Sequence, residues 1–203
     1  MISKKFITLI LNDNQKIKIL VSNKKKPILW SDRGYIIFEE KDRKLRIYSN
    51  KFIGCALDDF LRILISAENR RLGLHKSINQ DIGYLYNQFG ENRGEFATIE
   101  GSWIGLMYSV FDTENTKTWI YNEKNKIVIE VTPAYEWYLL EPEDRAEYPD
   151  FVEYDEFIKD YKPILKTYID KSTANEWIKI IKKAQKDIII EGQYFSISET
   201  PKE

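Results

Sequence analysis

Cysteine and histidine occur once each in this 203-residue chain, as Cys55 and His75. One cysteine excludes an intramolecular disulfide and any zinc site built from paired cysteines. Transition-metal ligation would have to rest on carboxylates. The acid-rich stretches "DTENT" and "EPEDRAEYPD" lack the alternating acids, the glycine and the distal glutamate of a calcium loop. Glycine is also scarce where phosphate would need it. No GxxxxGK[ST] occurs, and no GxGxxG follows a strand pattern. "FGENRGEF" places Gly90 and Gly94 around a polar turn, which is ordinary turn chemistry. The residues therefore imply no metal and no cofactor.

Long apolar runs are missing as well. No run approaches the roughly 18 residues of a membrane span. The apolar stretch of "MISKKFITLILNDNQ" is too short and too alternating for a signal sequence. With no Asn-x-Ser/Thr acceptor either, the expected setting is a reducing cytoplasm, away from membrane. An excess of one charge sign is absent too: the net charge is −1. A nucleic-acid binder usually carries a strongly basic footprint, so nucleic acid is an unlikely partner class.

What is present is a strong β signal. "FITLIL" and "KIKILV" flank "NDNQ", "YIIFEE" and "KLRIYS" flank "KDR", and "KTWIYN" and "KIVIEV" flank "EKN". Apolar and β-branched runs across short polar turns predict hairpins. "WIGLMYSVF" (103–111) predicts a further strand, apolar on both faces and so interior to its sheet, completing a meander over 103–132 that ends at Pro133. Helices are expected over 52–73, with Ile53, Leu57, Phe60, Leu61, Leu64 and Ala67 on one face and Gly73 as its left-handed terminator. A short helix is expected in "INQDIGYLYNQFG", and another over 154–169, kinked at Pro163. A last helix runs through "STANEWIKIIKKAQKDIII", with Thr173 and Glu176 spaced as a capping box and Trp177, Ile180, Ile181, Ala184 and Ile188 buried. No βαβ alternation appears. The expectation is an α+β fold: antiparallel hairpins and a meander packed against a few helices, one near the C-terminal end. Residues 1–203 are expected to form a single domain, with a weak subdivision conceivable near 72–78. Oligomeric state is not readable.

Candidate chemistry is thin. A Ser-His-Asp or Cys-His site would need His75, which falls just past a helix end and reads as a surface residue. Cys55, beside Phe52 and Ala56, reads as a small packed hydrophobe, although a position near a helix start could activate it. Glu130 sits within the strand "IVIEVT" on the face of Val128 and Thr132. Its ordinary reading is an outward-facing strand residue.

The most unusual stretch is 133–157, "PAYEWYLLEPEDRAEYPDFVEYDEF". It holds nine carboxylates, one basic residue (Arg145) and seven aromatics. Disordered acidic tails lack aromatics, so this segment should be ordered, with rings inward and acids outward. The same geometry would suit docking: tyrosine and tryptophan anchor interfaces, and dense carboxylates steer a basic partner. The candidate partner-binding residues are Glu136, Trp137, Tyr138, Glu141, Glu143, Asp144, Glu147, Asp150 and Glu153.

"TWIYNEKNKIVIEVTPAYEWYLL" and the later "FIKDYKPILKTYIDKSTANEWIKIIKKA" resemble bacterial immunity proteins of the polymorphic-toxin and contact-dependent-inhibition type. The resemblance covers the C-terminal half. It rests on an E-x-[ST]-P-x-[YF]-x-W pattern, here Glu130, Thr132, Pro133, Tyr135 and Trp137, followed by a helix carrying Trp177. It implies a small cytoplasmic α+β protein without enzymatic activity that binds and blocks one toxin; the carboxylate field, separately, would suit a basic partner such as a nuclease. Two alternatives remain open on the residues. One is a carboxylate-dependent hydrolase using Glu130 and an acid from 136–144. The other is an anion or nucleic-acid binder using the lysines of residues 1–27, whose bland role is to protect an edge strand.

Overall fold

A computed structural model describes residues 4–21, 27–76, 78, 80–91, 104, 107–137, 140 and 142–190. It is an α+β fold built on antiparallel sheets. The chain divides into two compact units, one of residues 1–62 with 175–203 and one of residues 63–174.

In the first unit, β1 (Lys4–Asn12), β2 (Gln15–Val21), β4 (Arg33–Glu40) and β5 (Arg43–Phe52) form a sheet in the order β1-β2-β4-β5. The first two predicted hairpins are the outer ladders of this sheet, and β2 pairs with β4 to join them. Alternation explains the burial. Ile17, Ile19 and Val21 of β2 face the core with Leu9, Ile36, Phe38 and Ile47, while lysines take the other face. There Lys18 Nζ lies 2.8 Å and Lys16 Nζ 3.6 Å from Glu39. Burial opposes ionisation of Glu39, but Lys18, Lys16 and Lys44 outweigh it and hold its pKa below the usual range.

The start of α1 (Ile53–Glu68) buries Ile53, Leu57 and Phe60 in this unit. The end of α4 (Lys171–Gln185) adds Trp177, Ile181 and Ala184, while Ile180 is only half-buried. The Trp177 ring meets Phe60 edge-on at 6.1 Å, and its indole N–H donates to the Ile10 carbonyl at 2.9 Å. A short parallel pair, β3 (Ile28–Leu29) with β10 (Ile188–Ile189), completes the unit. Ile188, expected on the helix stripe, belongs to this strand instead.

The second unit holds a sheet in the order β6-β7-β8-β9, made of β6 (Ser109–Asp112), β7 (Thr116–Glu123), β8 (Lys126–Pro133) and β9 (Leu165–Ile169). The third hairpin, β7-β8, is at its centre. Two expectations need correction here. The strand expected from 103 begins at Ser109, residues 104, 107 and 108 are helical, and β6 is an edge strand. Residues 165–169, expected as helix, form β9, antiparallel to β8. Pro163 ends helical structure rather than kinking it: α3 spans only Tyr154–Lys159. The short helix expected within 78–90 is α2 (Ile82–Glu91), and Gly90 lies inside it; residues 92–95, with Gly94, lie outside the described residues.

Helix ends also differ. α1 stops at Glu68, and the left-handed residue is Arg70 (φ 57°) rather than Gly73. Asn122 of β7 ties that end down, its side chain donating to the Ala67 carbonyl and accepting from the Leu72 amide. At α4 the cap is Asp170, not Thr173: Asp170 Oδ1 accepts from the Thr173 amide at 2.8 Å and the Ser172 hydroxyl at 2.9 Å. These bonds, the Thr173 amide foremost, lower the Asp170 pKa to about 2.

Candidate functional site: an acidic-aromatic segment beside a buried carboxylate

The end of β8 feeds directly into the acidic segment. Asn87 of α2 holds this junction. Its side-chain amide donates to the carbonyls of Gly83 (2.8 Å) and Pro133 (3.0 Å), and its Oδ1 accepts from the Tyr135 amide at 2.8 Å. Pro133 offers no N–H, so the chain can leave the ladder here, and Asn87 replaces the lost backbone pairing.

Beyond the junction the rings interlock. Tyr135 is buried, lies 5.4 Å from Tyr154 and 5.2 Å from Phe157, and donates its hydroxyl to the Val152 carbonyl at 2.9 Å. Trp137 meets Tyr148 at 5.3 Å and Phe151 at 5.9 Å. Arg145 stacks on the Phe151 ring at 5.0 Å and pairs with Glu153 at 2.7 Å. The segment's one cation is thereby spent inside it. The acids ride on this ring scaffold. Glu136, Glu143, Asp144, Glu147, Asp150 and Glu153 are all exposed, and Trp137 is half-buried. Tyr138 and Glu141 lie outside the described residues. Partial burial raises the Glu136 pKa, and the charges of Glu114 and Asp150 add to it.

Glu130, only a few residues earlier, behaves oppositely. Expected to face outward, it has no exposed surface. It shares a sheet face with Val128 and Thr132, and α2 covers part of that face: the Tyr86 ring lies 5.1 Å from Trp119, which pairs across the ladder with Glu130. Gly83 of α2 approaches so closely that a Cβ there would overlap Thr132 Oγ1 and the Tyr161 hydroxyl. Around Glu130, the Tyr121 hydroxyl donates to Oε2 at 2.6 Å, and Lys166 Nζ lies 4.0 Å from the same oxygen. Among the described residues Oε1 finds no hydrogen-bond donor. Burial raises the Glu130 pKa; the Tyr121 bond and Lys166 oppose this, and Asp81 and Glu123 add to it. Tyr121 and Tyr161 are also pushed up, by burial first and then by the Glu130 charge.

A side chain with no accessible surface cannot touch a substrate in this conformation. The cluster is a polar core in which two buried oxygens, Glu130 Oε1 and the Tyr161 hydroxyl, find no hydrogen-bond partner among the described residues. Sequence reasoning picked out Glu130 but missed Tyr121, Tyr161 and Lys166. Tyr161 and Lys166 fell in the stretch expected as helix; the β-like "LKTYI" was the only signal for Lys166, and Tyr161 had none.

The remaining candidates do not gather into a site. His75 is exposed. Burial, then Asp59 and Asp58, raises the Cys55 pKa, which withdraws the thiolate. Of the N-terminal lysines, Lys16 and Lys18 pair with Glu39, while Lys24, Lys25 and Lys26 lie outside the described residues. Among the described residues no His, Cys, Asp or Glu cluster is placed to hold a metal ion, and no helix is long and apolar enough to cross a membrane.

No protein-family model matches the chain, and no curated protein matches it. Among solved structures it shows a weak structural resemblance to the crystal structure of CdiI from Burkholderia dolosa. The two are 7% identical with a TM-score of 0.43, over 81% of this chain and 94% of that one.

Proposed function

We propose that this chain is a non-catalytic, cytoplasmic interaction protein: an immunity protein that captures a basic toxin of the nuclease type and occludes its active-site cleft. The observation that carries this reading is the division of labour in residues 133–157. Interlocked rings fix the segment, so its exposed carboxylates form a preorganised field rather than a mobile tail. Preorganisation lowers the ordering cost of binding, and a one-sign field raises the rate of encounter with a cation-rich partner. The residues of the E-x-[ST]-P-x-[YF]-x-W pattern support the reading in a structural way. Thr132 Oγ1 accepts from the Trp119 indole at 2.7 Å, Pro133 releases the strand, and Tyr135 and Trp137 each nucleate a ring cluster.

The test pairs the chain with candidate toxins, beginning with the product of any toxin-like reading frame adjacent to its own gene. Reversing four acids together (E143K, D144K, E147K and D150K) should slow association on the order of tenfold or more at low salt and weaken neutralisation. Unchanged association and neutralisation would remove the docking assignment.

A second reading, a carboxylate-dependent hydrolase using Glu130, rests on that residue's raised pKa and requires an opened conformation, because the side chain has no exposed surface as it stands. Glu130→Gln separates the two. An immunity protein keeps its neutralising activity in this variant, whereas a hydrolase loses its turnover.

A further inference from the structure

The first unit contains a cleft of about 250 Å³ lined by Trp30, Gly54, Asp58, Gln185, Ile188 and Ile190. Its indole is fixed from several sides. The Trp30 amide donates to the Ile189 carbonyl at 2.8 Å, and the Trp30 carbonyl accepts from the Gly54 amide at 3.1 Å. Its Nε1–H donates to Asp58 Oδ2 at 3.3 Å, and its ring packs 6.0 Å from Phe52. Only glycine fits at position 54, because a Cβ there would overlap the Trp30 ring. Such restraint leaves the indole no freedom to fold away from the cleft.

Among the described residues that line the cleft, Asp58 is the one charged side chain. Asp58 Oδ1 accepts from the Gln185 side chain at 2.6 Å, so both of its carboxylate oxygens are held by neutral donors. Among the described residues no lysine or arginine pairs with it, while the neighbouring Asp59 is paired with Arg62 at 3.1 Å. An anion is not favoured here. The first amides of α1 are already used, Ile53 N–H by the Asp32 carbonyl and Gly54 N–H by the Trp30 carbonyl. Lys182, Lys183 and Lys186, which flank Gln185 in sequence, are exposed and do not line the cleft.

An indole, an unpaired carboxylate with acceptor capacity left over, and two isoleucine side chains match one chemical class: a cation on a short apolar stem. We propose that this cleft binds an alkylammonium group, as carried by a free aliphatic amine or by a lysine side chain. The carboxylate takes the ammonium, the indole supplies its ring, and Ile188 and Ile190 cover the methylenes. The volume lies below the usual range of drug-sized sites, which suits a fragment of this size with affinity in the millimolar range.

Titration of the ¹⁵N-labelled full chain with n-butylammonium, followed at the Trp30 indole resonance assigned through Trp30→Phe, tests this. A saturable shift is expected, absent with n-butanol, and weakened about tenfold or more in Asp58→Asn. Asp58→Asn changes an exposed residue and keeps acceptor capacity for Trp30, so its spectrum otherwise reports an intact fold. N-acetyl-lysine amide forms the second arm: an equal response assigns the cleft to lysine side chains of a polypeptide, and no response assigns it to free amines. No saturable shift with butylammonium, an equal shift with butanol, or full retention in Asp58→Asn would overturn the proposal.

Discussion

Carboxylates meet opposite fates on either side of Pro133. Before it, Glu130 is sealed in a sheet, bonded to Tyr121 and facing Lys166, with its ionisation suppressed. After it, acids of the 133–157 segment stand in solvent on a floor of rings. The difference shows that packing, and not the number of carboxylates, decides what an acid can do. A buried acid costs stability unless it is satisfied, and it holds its neighbours in one arrangement. An exposed acid costs almost nothing and is free to meet a partner.

The contrast can be broken most severely at its hinge. Tyr135→Ala removes a buried ring from two aromatic contacts and a bond to the Val152 carbonyl. It should cost about 3–5 kcal/mol in a chemical denaturation experiment and should release the acids from their fixed positions. Neutralising the exposed acids instead, as in the E143Q/D144N/E147Q triple variant, should leave stability within about 0.5 kcal/mol per site. A triple variant as damaged as Tyr135→Ala would mean that the acids, too, hold the fold together.

Gly83→Ala probes the buried side. A methyl group driven against Thr132 and Tyr161 should destabilise by about 1–3 kcal/mol. Little change would mean that α2 does not seal the Glu130 face tightly.

The pH dependence distinguishes the two acid classes further. The pKa of Glu130 is raised in the folded state, so the folded chain binds this proton more tightly than the unfolded one. Its contribution therefore favours folding below the unfolded value and is lost as pH rises through the folded value. Glu130→Gln should flatten that decline, gaining on the parent protein at neutral pH relative to acid. Asp170 has the opposite sign. Its pKa is lowered to about 2, so its stabilisation is present above the unfolded carboxylate range and lost as pH falls towards 2. Asp170→Ala should cost about 1 kcal/mol at neutral pH, and less in acid, by thermal melts across pH.

The smallest expected effect lies in a hairpin turn. Lys124 adopts a φ of 53°, a region that glycine occupies without strain. Lys124→Gly should stabilise the β7-β8 hairpin by a few tenths of a kcal/mol to about 1 kcal/mol. Loss of stability there would show that the lysine side chain, not its backbone, matters.

The hairpins were legible because their information is local: apolar alternation and a polar turn sit within a dozen residues of each other. β9 was not, because "LKTYI" is short, follows a proline and gains its strand character only by pairing with β8, more than thirty residues earlier. The α4 cap was misplaced for a related reason. Thr173 and Glu176 have the spacing of a cap, but Asp170 reaches the free amide first. In the acidic segment, ring-on-ring packing followed from composition, although among the described rings only Tyr135 is buried and Tyr148 is exposed. The burial of Glu130 did not, since it depends on α2 and on Tyr161 arriving from distant parts of the chain.

Carboxyl footprinting of the chain, free and bound to a toxin that it neutralises, tests the docking claim most directly. The account predicts that Glu136, Glu143, Asp144, Glu147, Asp150 and Glu153 are labelled in the free protein and protected together in the complex, while exposed acids elsewhere, such as Asp42 and Asp187, label equally in both. Unaltered labelling across 136–153 in a saturated complex would contradict it.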